Sequence, residues 1–327
     1  MTPVKWVYSF LEKYRYKMAA GLLMVTGIAL LTIVNPYISG RIVDDVITGG
    51  NYKLLPVLIG CLLGVVALKG ILRYASQVMF EICSQGVLYS MRDAVYRKLL
   101  QEDFSFYNKN RTGDLMSRQT GDMDAIRHFI AYIIYSVYEN ILLLSFALIM
   151  IFTVNVKLAL AMLVVLPFTA LTTYGQSKSV RPAFMKIRQQ FSSLNTFVQE
   201  NISGNRVVKA FAREDFEIEK FNKENDAYRD AELNAAAIWK KYVPIFEFLS
   251  NILTVVLMLY GGYMVIQGEI TMGNLVTVNG YLWMLTVPLR MAGWWINDIH
   301  RFTTSAEKIY TTYSQEPEIQ EPQQPIV

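Results

Sequence analysis

Hydrophobic positions along this chain fall into runs long enough to cross a bilayer, and two long stretches of a different period separate them. Met18 to Gly40 carries no charge, and the stretch from Leu54 meets none until Lys69. Asn140 to Val156 and Leu158 to Ser177 are uncharged on either side of Lys157, with Asn155 marking a turn. Phe248 to Gly268 and Ile270 to Leu289 are separated by the polar turn QGEITMG, whose glycines suit a reversal of direction. About 20 apolar residues, rising ~1.5 Å each, cross the ~30 Å hydrocarbon layer. The pattern predicts an all-α integral membrane protein with six spanning helices, at 18–40, 54–105, 115–154, 157–207, 217–267 and 273–299.

The two intervening stretches, ICSQGVLYSMRDAVYRKLLQ and PAFMKIRQQFSSLNTFVQENISGNRVVKAF, repeat their apolar residues every three or four positions and have no interior proline. That is the period of amphipathic helices, so they should prolong the membrane helices outward. An unbroken helix from Leu54 to Asp103 would be about 75 Å long at ~1.5 Å per residue, more than twice the apolar layer. Two helical hairpins should therefore protrude, with tips near 106–114 and 208–216. In the first, FYNKNRTGD, Asn108, Asn110 and Gly113 permit a turn before Asp114 can cap the next helix. The second, KAFARED, places Phe211 among charges.

Charge fixes the expected orientation. Of 31 Lys and Arg, 4 precede the first span, 7 lie between Phe80 and Ala131, 12 between Lys178 and Lys241, and 2 after the last span. The other side holds only Arg41, Lys53 and Lys157, so both termini and both protruding hairpins are expected in the cytoplasm. No short apolar core with a small-residue cleavage site opens the chain, so the first span is expected to remain. Cys61 and Cys83 have no spacing that suggests a metal site or redox pair. The composition, 53% hydrophobic and 18% charged, fits a protein solvated partly by lipid. The tail QEPEIQEPQQPIV is polar and proline-rich and reads as a linker.

At the two tips, FYNKNRTGDLMSRQTGDMDAIR and QENISGNRVVKAFAREDFEIEKF resemble the two intracellular stretches of exporter-type ABC transporters. FLEKYRYK resembles that family's interfacial elbow helix, and SAEKIYTTY the segment leading into its nucleotide-binding domain. The resemblance implies an elbow at 1–17, a six-helix transmembrane domain with two coupling helices at 18–315, and a linker at 316–327. It further implies a dimer with a second transmembrane domain, homo- or heteromeric. Thr112, Gly113, Asp114, Leu115 and Arg118 would form or flank the first coupling element, and Phe211, Ala212, Arg213, Glu214 and Asp215 the second. These would seat in nucleotide-binding domains, one tip on its own side and one swapped across. ATP and Mg2+ would belong to those domains, because no G-x-x-x-x-G-K-[ST] phosphate loop is present and this chain alone is expected to have no ATPase site or cofactor. The expected setting is the cell membrane, as in a bacterial inner membrane, with an amphipathic or hydrophobic substrate and no nucleic acid.

Counted from the outer ends at ~1.5 Å per residue, the charges inside the apolar runs lie deep along their helices. Lys69 and Glu139 come out about 24 Å deep, Arg290 about 26 Å and Glu247 about 32 Å, all near the inner interface. Snorkelling or pairing would account for them. Alternatively, Glu139, Glu247 and Arg290 line an inward-open vestibule, since intramembrane charges usually face a cavity. Tyr281 and Met284 belong to a soft aromatic stretch that could line the same cavity. Two rival functions stay open: an ion-coupled secondary transporter, which needs ionisable residues near mid-depth, and a non-transporting scaffold that recruits a cytosolic partner.

Overall fold

A computed structural model describes residues 2–317, which form helices and turns with no strand among the described residues. Helix α1 (Pro3–Leu11) begins where the Thr2 hydroxyl accepts a hydrogen bond from the Lys5 amide at 3.4 Å. Helix α2 (Arg15–Arg41) contains Pro36 and passes into a π-helical turn, Ile42–Thr48. Helix α3 (Leu55–Gln101) runs unbroken for 47 residues with Pro56 in its first turn, where its missing N–H costs nothing. A short helix α4 (Phe104–Lys109) follows, capped by Asp103, which accepts from the Phe106 amide at 2.9 Å.

Helix α5 (Thr112–Val154) includes π-helical turns at Arg118–Asp122 and Phe129–Ile133. Asn155 alone separates it from helix α6 (Val156–Ala210) and caps that helix, its Oδ1 accepting from the amides of Lys157 at 2.8 Å and Leu158 at 3.2 Å. Within α6 a turn at Val164 and Val165 precedes Pro167, so this proline restarts a helix instead of kinking one. Helix α7 (Glu214–Ile266) and helix α8 (Met272–Ser314) are joined through Gly268, whose φ of 76° only glycine adopts without strain.

By length and composition, five helical stretches among the described residues can cross a membrane: Pro3–Thr48, Tyr52–Gln101, Thr112–Val154, Val156–Ala210 and Glu214–Ile266. The sixth expected span lies inside α8, which has 43 residues and ample length. Its apolar run is diluted by Asn274, Thr277, Asn279 and Gly280, so composition alone does not single it out. The expected linker at 316–327 lies, beyond residue 317, outside the described residues.

The chain divides into two compact units, one made of residues up to 159 and from 257 onward, the other of residues 160–256. In the first, α1, α2, α3, α5 and α8 share a core that includes Trp6, Val25, Phe80, Met91, Ile126 and Ile309. Gly21 leaves room for the Phe80 ring, which a Cβ there would meet at 3.0 Å. Trp6 docks α1 onto the end of α8, its ring centroid 5.9 Å from Tyr310 and 4.9 Å from Tyr313.

The second unit is a hairpin of α6 and α7. Gly175 faces Tyr242, the Ser179 and Tyr242 hydroxyls lie 3.2 Å apart, and the Asn201 amide donates to Glu217 at 3.1 Å. Few of its side chains are buried.

Candidate functional site

The first tip is assembled by caps. After α3 ends, Asp103 starts α4, the Tyr107 hydroxyl donates back to the Leu99 carbonyl at 2.7 Å, and the Asn110 amide closes on the Phe106 carbonyl at 3.0 Å. Phe106 is thereby buried while Phe104 stands 89% exposed. Of the expected contact residues, Thr112, Gly113 and Asp114 are exposed at the start of α5. Leu115 is buried, and Arg118 turns away from the tip to donate to the Thr312 hydroxyl on α8. Leu115 thus packs inward, and Arg118, half-buried, ties the tip to α8. Asp122, one turn further, accepts from Ser305 at 2.8 Å and pairs with Lys308 at 3.7 Å, so the beginning of α5 is fastened to the end of α8.

The second tip is a reversal of three residues, Phe211 to Arg213, between α6 and α7. Ala212 sits at φ 49°, a left-handed conformation that costs a residue with a Cβ roughly 1–2 kcal/mol. Glu214, Asp215 and Glu217 fill the first turn of α7, where the helix dipole favours negative charge. Lys209 bonds Glu214 at 2.9 Å, and this bond, with a smaller backbone contribution, holds the Glu214 carboxyl below the usual carboxylate range. Phe211 is 73% exposed and, with Val207, Val208, Arg213, Phe216 and Glu217, borders a groove of about 500 Å3.

The charges within the apolar runs separate into kinds. Glu139 is buried on α5 and receives both terminal nitrogens of Arg73 on α3, in a bidentate ion pair. Pairing is what makes a carboxylate tolerable at that depth. Lys69 lies one helical turn beyond Arg73. Glu247 and Arg290 are exposed.

Tyr281 and Met284 do not line an open cavity. Both are fully buried, and the Tyr281 hydroxyl on α8 donates to the Ile33 carbonyl on α2 at 3.0 Å. The cause is close helix approach: a Cβ on Gly280 would lie 2.6 Å from Pro36, and one on Gly273 only 2.2 Å from the Gly40 carbonyl. At this same end Asp44, not singled out by sequence, accepts from the Gly273 amide at 2.7 Å and the Thr271 hydroxyl at 2.5 Å, clamping α2 to the start of α8.

Apolar helices of this length, prolonged into polar stalks that end in structured tips, define a multi-pass all-α membrane domain. The family described as ABC transporter transmembrane region matches residues 18–289, and the chain belongs to that family. Among curated proteins it is 36% identical over 310 residues to the uncharacterized ABC transporter ATP-binding protein YknU of Bacillus subtilis (strain 168), covering 94% of this chain and 52% of the relative. It is 26% identical to an ATP-dependent lipid A-core flippase of Syntrophus aciditrophicus (strain SB), over 93% of this chain and 50% of that protein. It is also 26% identical to the multidrug resistance-like ATP-binding protein MdlA of Escherichia coli (strain K12), over 96% of this chain and 53% of that one. The chain thus spans about half the length of the curated relatives it matches. The fold is that of an ABC exporter membrane domain.

Proposed function

We propose that this chain is the substrate-translocating half of an ATP-driven exporter that works as a dimer by alternating access. ATP and Mg2+ would be held by nucleotide-binding domains docked on the two tips, and hydrolysis would occur there. The observation that carries this reading is the second tip, where an exposed phenyl ring on a strained turn borders a groove large enough for a partner's side chains. A large apolar group held in water at the end of a stalk fits a protein pocket. The first tip adds Phe104, with Thr112, Gly113 and Asp114 beside it.

In this scheme the tips and both termini face the cytoplasm, which the charge distribution favours. Splayed stalks open the path inward, and nucleotide-driven closure of the stalks opens it outward. The Asp44 clamp between α2 and α8 keeps the outer side shut in the first state. A substrate biases the exchange only through its different affinity for the two states. Glu247 and Arg290 are available to meet it, whereas Glu139 serves through Arg73 as a structural pair. The names of the flippase and the multidrug relative favour a hydrophobic or amphipathic substrate. A buried carboxylate already engaged by arginine is poorly suited to carry a coupling ion, which disfavours the secondary-transporter alternative.

The test is ATP-dependent dye movement in liposomes by the whole transporter containing this segment, with Phe211→Ala alongside. Movement lost while ATP is still hydrolysed supports coupling through the second tip. Undiminished movement contradicts it.

A further inference from the structure

The hairpin of α6 and α7 sorts its charges by distance from the apolar runs. Near the tip the signs are mixed: residues 214–232 of α7 carry eight carboxylates and three cations. Ion pairs there join Lys209 to Glu214, Lys220 to Glu217, and Arg229 to Asp226 and Asp230. Near the apolar runs only one sign remains. Residues 158–199 of α6 and 233–246 of α7 contain no Asp or Glu, yet they hold Lys178, Arg181, Lys186, Arg188, Lys240 and Lys241, all exposed. Among the described residues none of these six makes an ion pair, and Lys241 lies over the Tyr242 ring at 5.6 Å.

Depth places this band at a boundary. Counted from Val156 at ~1.5 Å per residue, Lys178 and Arg181 lie about 33 and 38 Å along α6. Counted likewise from Gly268, Lys241 lies about 40 Å along α7. The apolar layer is ~30 Å thick and the headgroups add several ångströms on each side, so Lys178 and Arg181 stand at headgroup level. Arg188 follows about 10 Å further on, where its long side chain and a Debye length of ~8–10 Å still bring it under the surface potential.

On α6 the cations share a face. At about 100° per residue, Tyr174, Lys178, Arg181, Met185 and Arg188 fall within about 80° of arc. All five are exposed, Tyr174 to 70% and Met185 to 61%. Ser179, whose hydroxyl lies 3.2 Å from that of Tyr242, marks the face turned toward α7, and the stripe is centred about 140° away from it. An aromatic ring at the apolar end, followed by cations, is the order of a bilayer interface. A face that serves only hydration mixes both signs, as the tip does, whereas an unrelieved positive face attracts anions.

We propose that the stripe of Lys178, Arg181 and Arg188 binds the headgroup phosphates of anionic phospholipid, with Tyr174 toward the acyl chains and Lys240 and Lys241 adding to the positive field. That these lipids belong to the cytoplasmic leaflet rests on the orientation proposed above; the binding itself does not.

The experiment offers the whole transporter containing this segment, delipidated in a neutral detergent, phosphatidylglycerol and phosphatidylcholine with identical chains, and counts bound lipid by native mass spectrometry. Phosphatidylglycerol is expected to bind at least about tenfold more tightly. Lys178→Gln, Arg181→Gln and Arg188→Gln should each weaken it about three- to fivefold, the size of one cation's attraction to an anionic surface. The triple variant should keep little of the preference, while Arg181→Lys, which retains the charge, should keep it. Lys220→Gln, Lys223→Gln and Arg229→Gln together make the same change in charge more than about 55 Å along α7 from Gly268, and should leave the preference unchanged. The three stripe side chains are exposed and unpaired, so their variants should unfold at the temperature of the parent in the same detergent. Equal affinity for the two lipids, or a preference untouched in the triple variant, would overturn the site. Weaker self-association of the triple variant with its lipid preference retained would also overturn it, and would assign the stripe to contact between copies of this chain. Detergent has no leaflets, so none of these results bears on orientation or on transport.

Discussion

The two halves of α3 invert what burial does in a water-soluble helix. The apolar half, running from Leu55 toward Lys69, supplies the helix's most hydrophobic 18-residue window, and none of that window is buried within the chain. The more polar half buries Ser76, Phe80, Cys83, Ser84, Val87, Leu88, Met91 and Val95. The apolar half thus leaves Leu63, Val66 and Ile71 at 67%, 55% and 66% exposure without a neighbour in this chain. Hydrocarbon is the solvent that removes their cost, and the polar half must make its own core because it stands in water. One continuous helix therefore has two solvents, and its sequence changes period where the solvent changes.

The sharpest break in that comparison comes from truncating one residue in each half. Phe80→Ala removes a side chain that is 1% exposed and packs on Tyr135 with ring centroids 5.3 Å apart, and should cost about 3–5 kcal/mol. Leu63→Ala should cost far less. Thermal unfolding of both variants in the same detergent compares them directly.

Charge reverses the order. Leu63→Arg places a cation in the apolar half and should cost ~2.5–3.5 kcal/mol of membrane insertion if it falls near mid-layer. Tyr89→Arg, at an exposed position of the polar half, should be near neutral. A glycosylation-based insertion assay on α3 reads this difference.

Where the halves meet, the Arg73–Glu139 pair should be worth less than its burial suggests, since the Arg73 side chain is 30% exposed. Glu139→Gln should destabilise by about 2 kcal/mol, below the 3–5 of a fully buried pair. Adding Arg73→Met should recover most of it, because the loss comes from a stranded charge. A double-mutant cycle by thermal unfolding measures the coupling.

The smallest effect belongs to the second tip. Ala212→Gly should relieve the left-handed strain and stabilise the turn by about 1 kcal/mol, seen as slower amide exchange around residues 208–216.

Much of this architecture was legible because it depends on local pattern. The uncharged runs marked the apolar helices, the three-to-four-residue apolar period of ICSQGVLYSMRDAVYRKLLQ marked the stalk of α3, and Asn155 and the glycine at 268 marked the reversals. Helix α4 was also within reach, since Asp103 before FSFYNK is an N-cap signal, but the asparagines that follow read as a plain turn. What sequence could not supply were partnerships across long separations. Arg73 finds Glu139 only once α3 and α5 are in register, so depth counting allowed a paired carboxylate but could not name its partner. Arg118 reads as a tip charge until α8 returns Thr312 beside it. Tyr281 and Met284 look like soft cavity residues because their type is right, but Gly280 against Pro36 closes the space they would have lined. Asp44 lacked any signal beyond its place after an apolar run, since its partners are more than two hundred residues away.

The most direct measurement places nitroxide labels singly at Val66 and Tyr89 of α3 in proteoliposomes and compares relaxation by oxygen and by a water-soluble nickel chelate. The account predicts oxygen dominance at Val66 and chelate dominance at Tyr89. Equal access of the chelate to both positions would contradict the division of α3 between lipid and water.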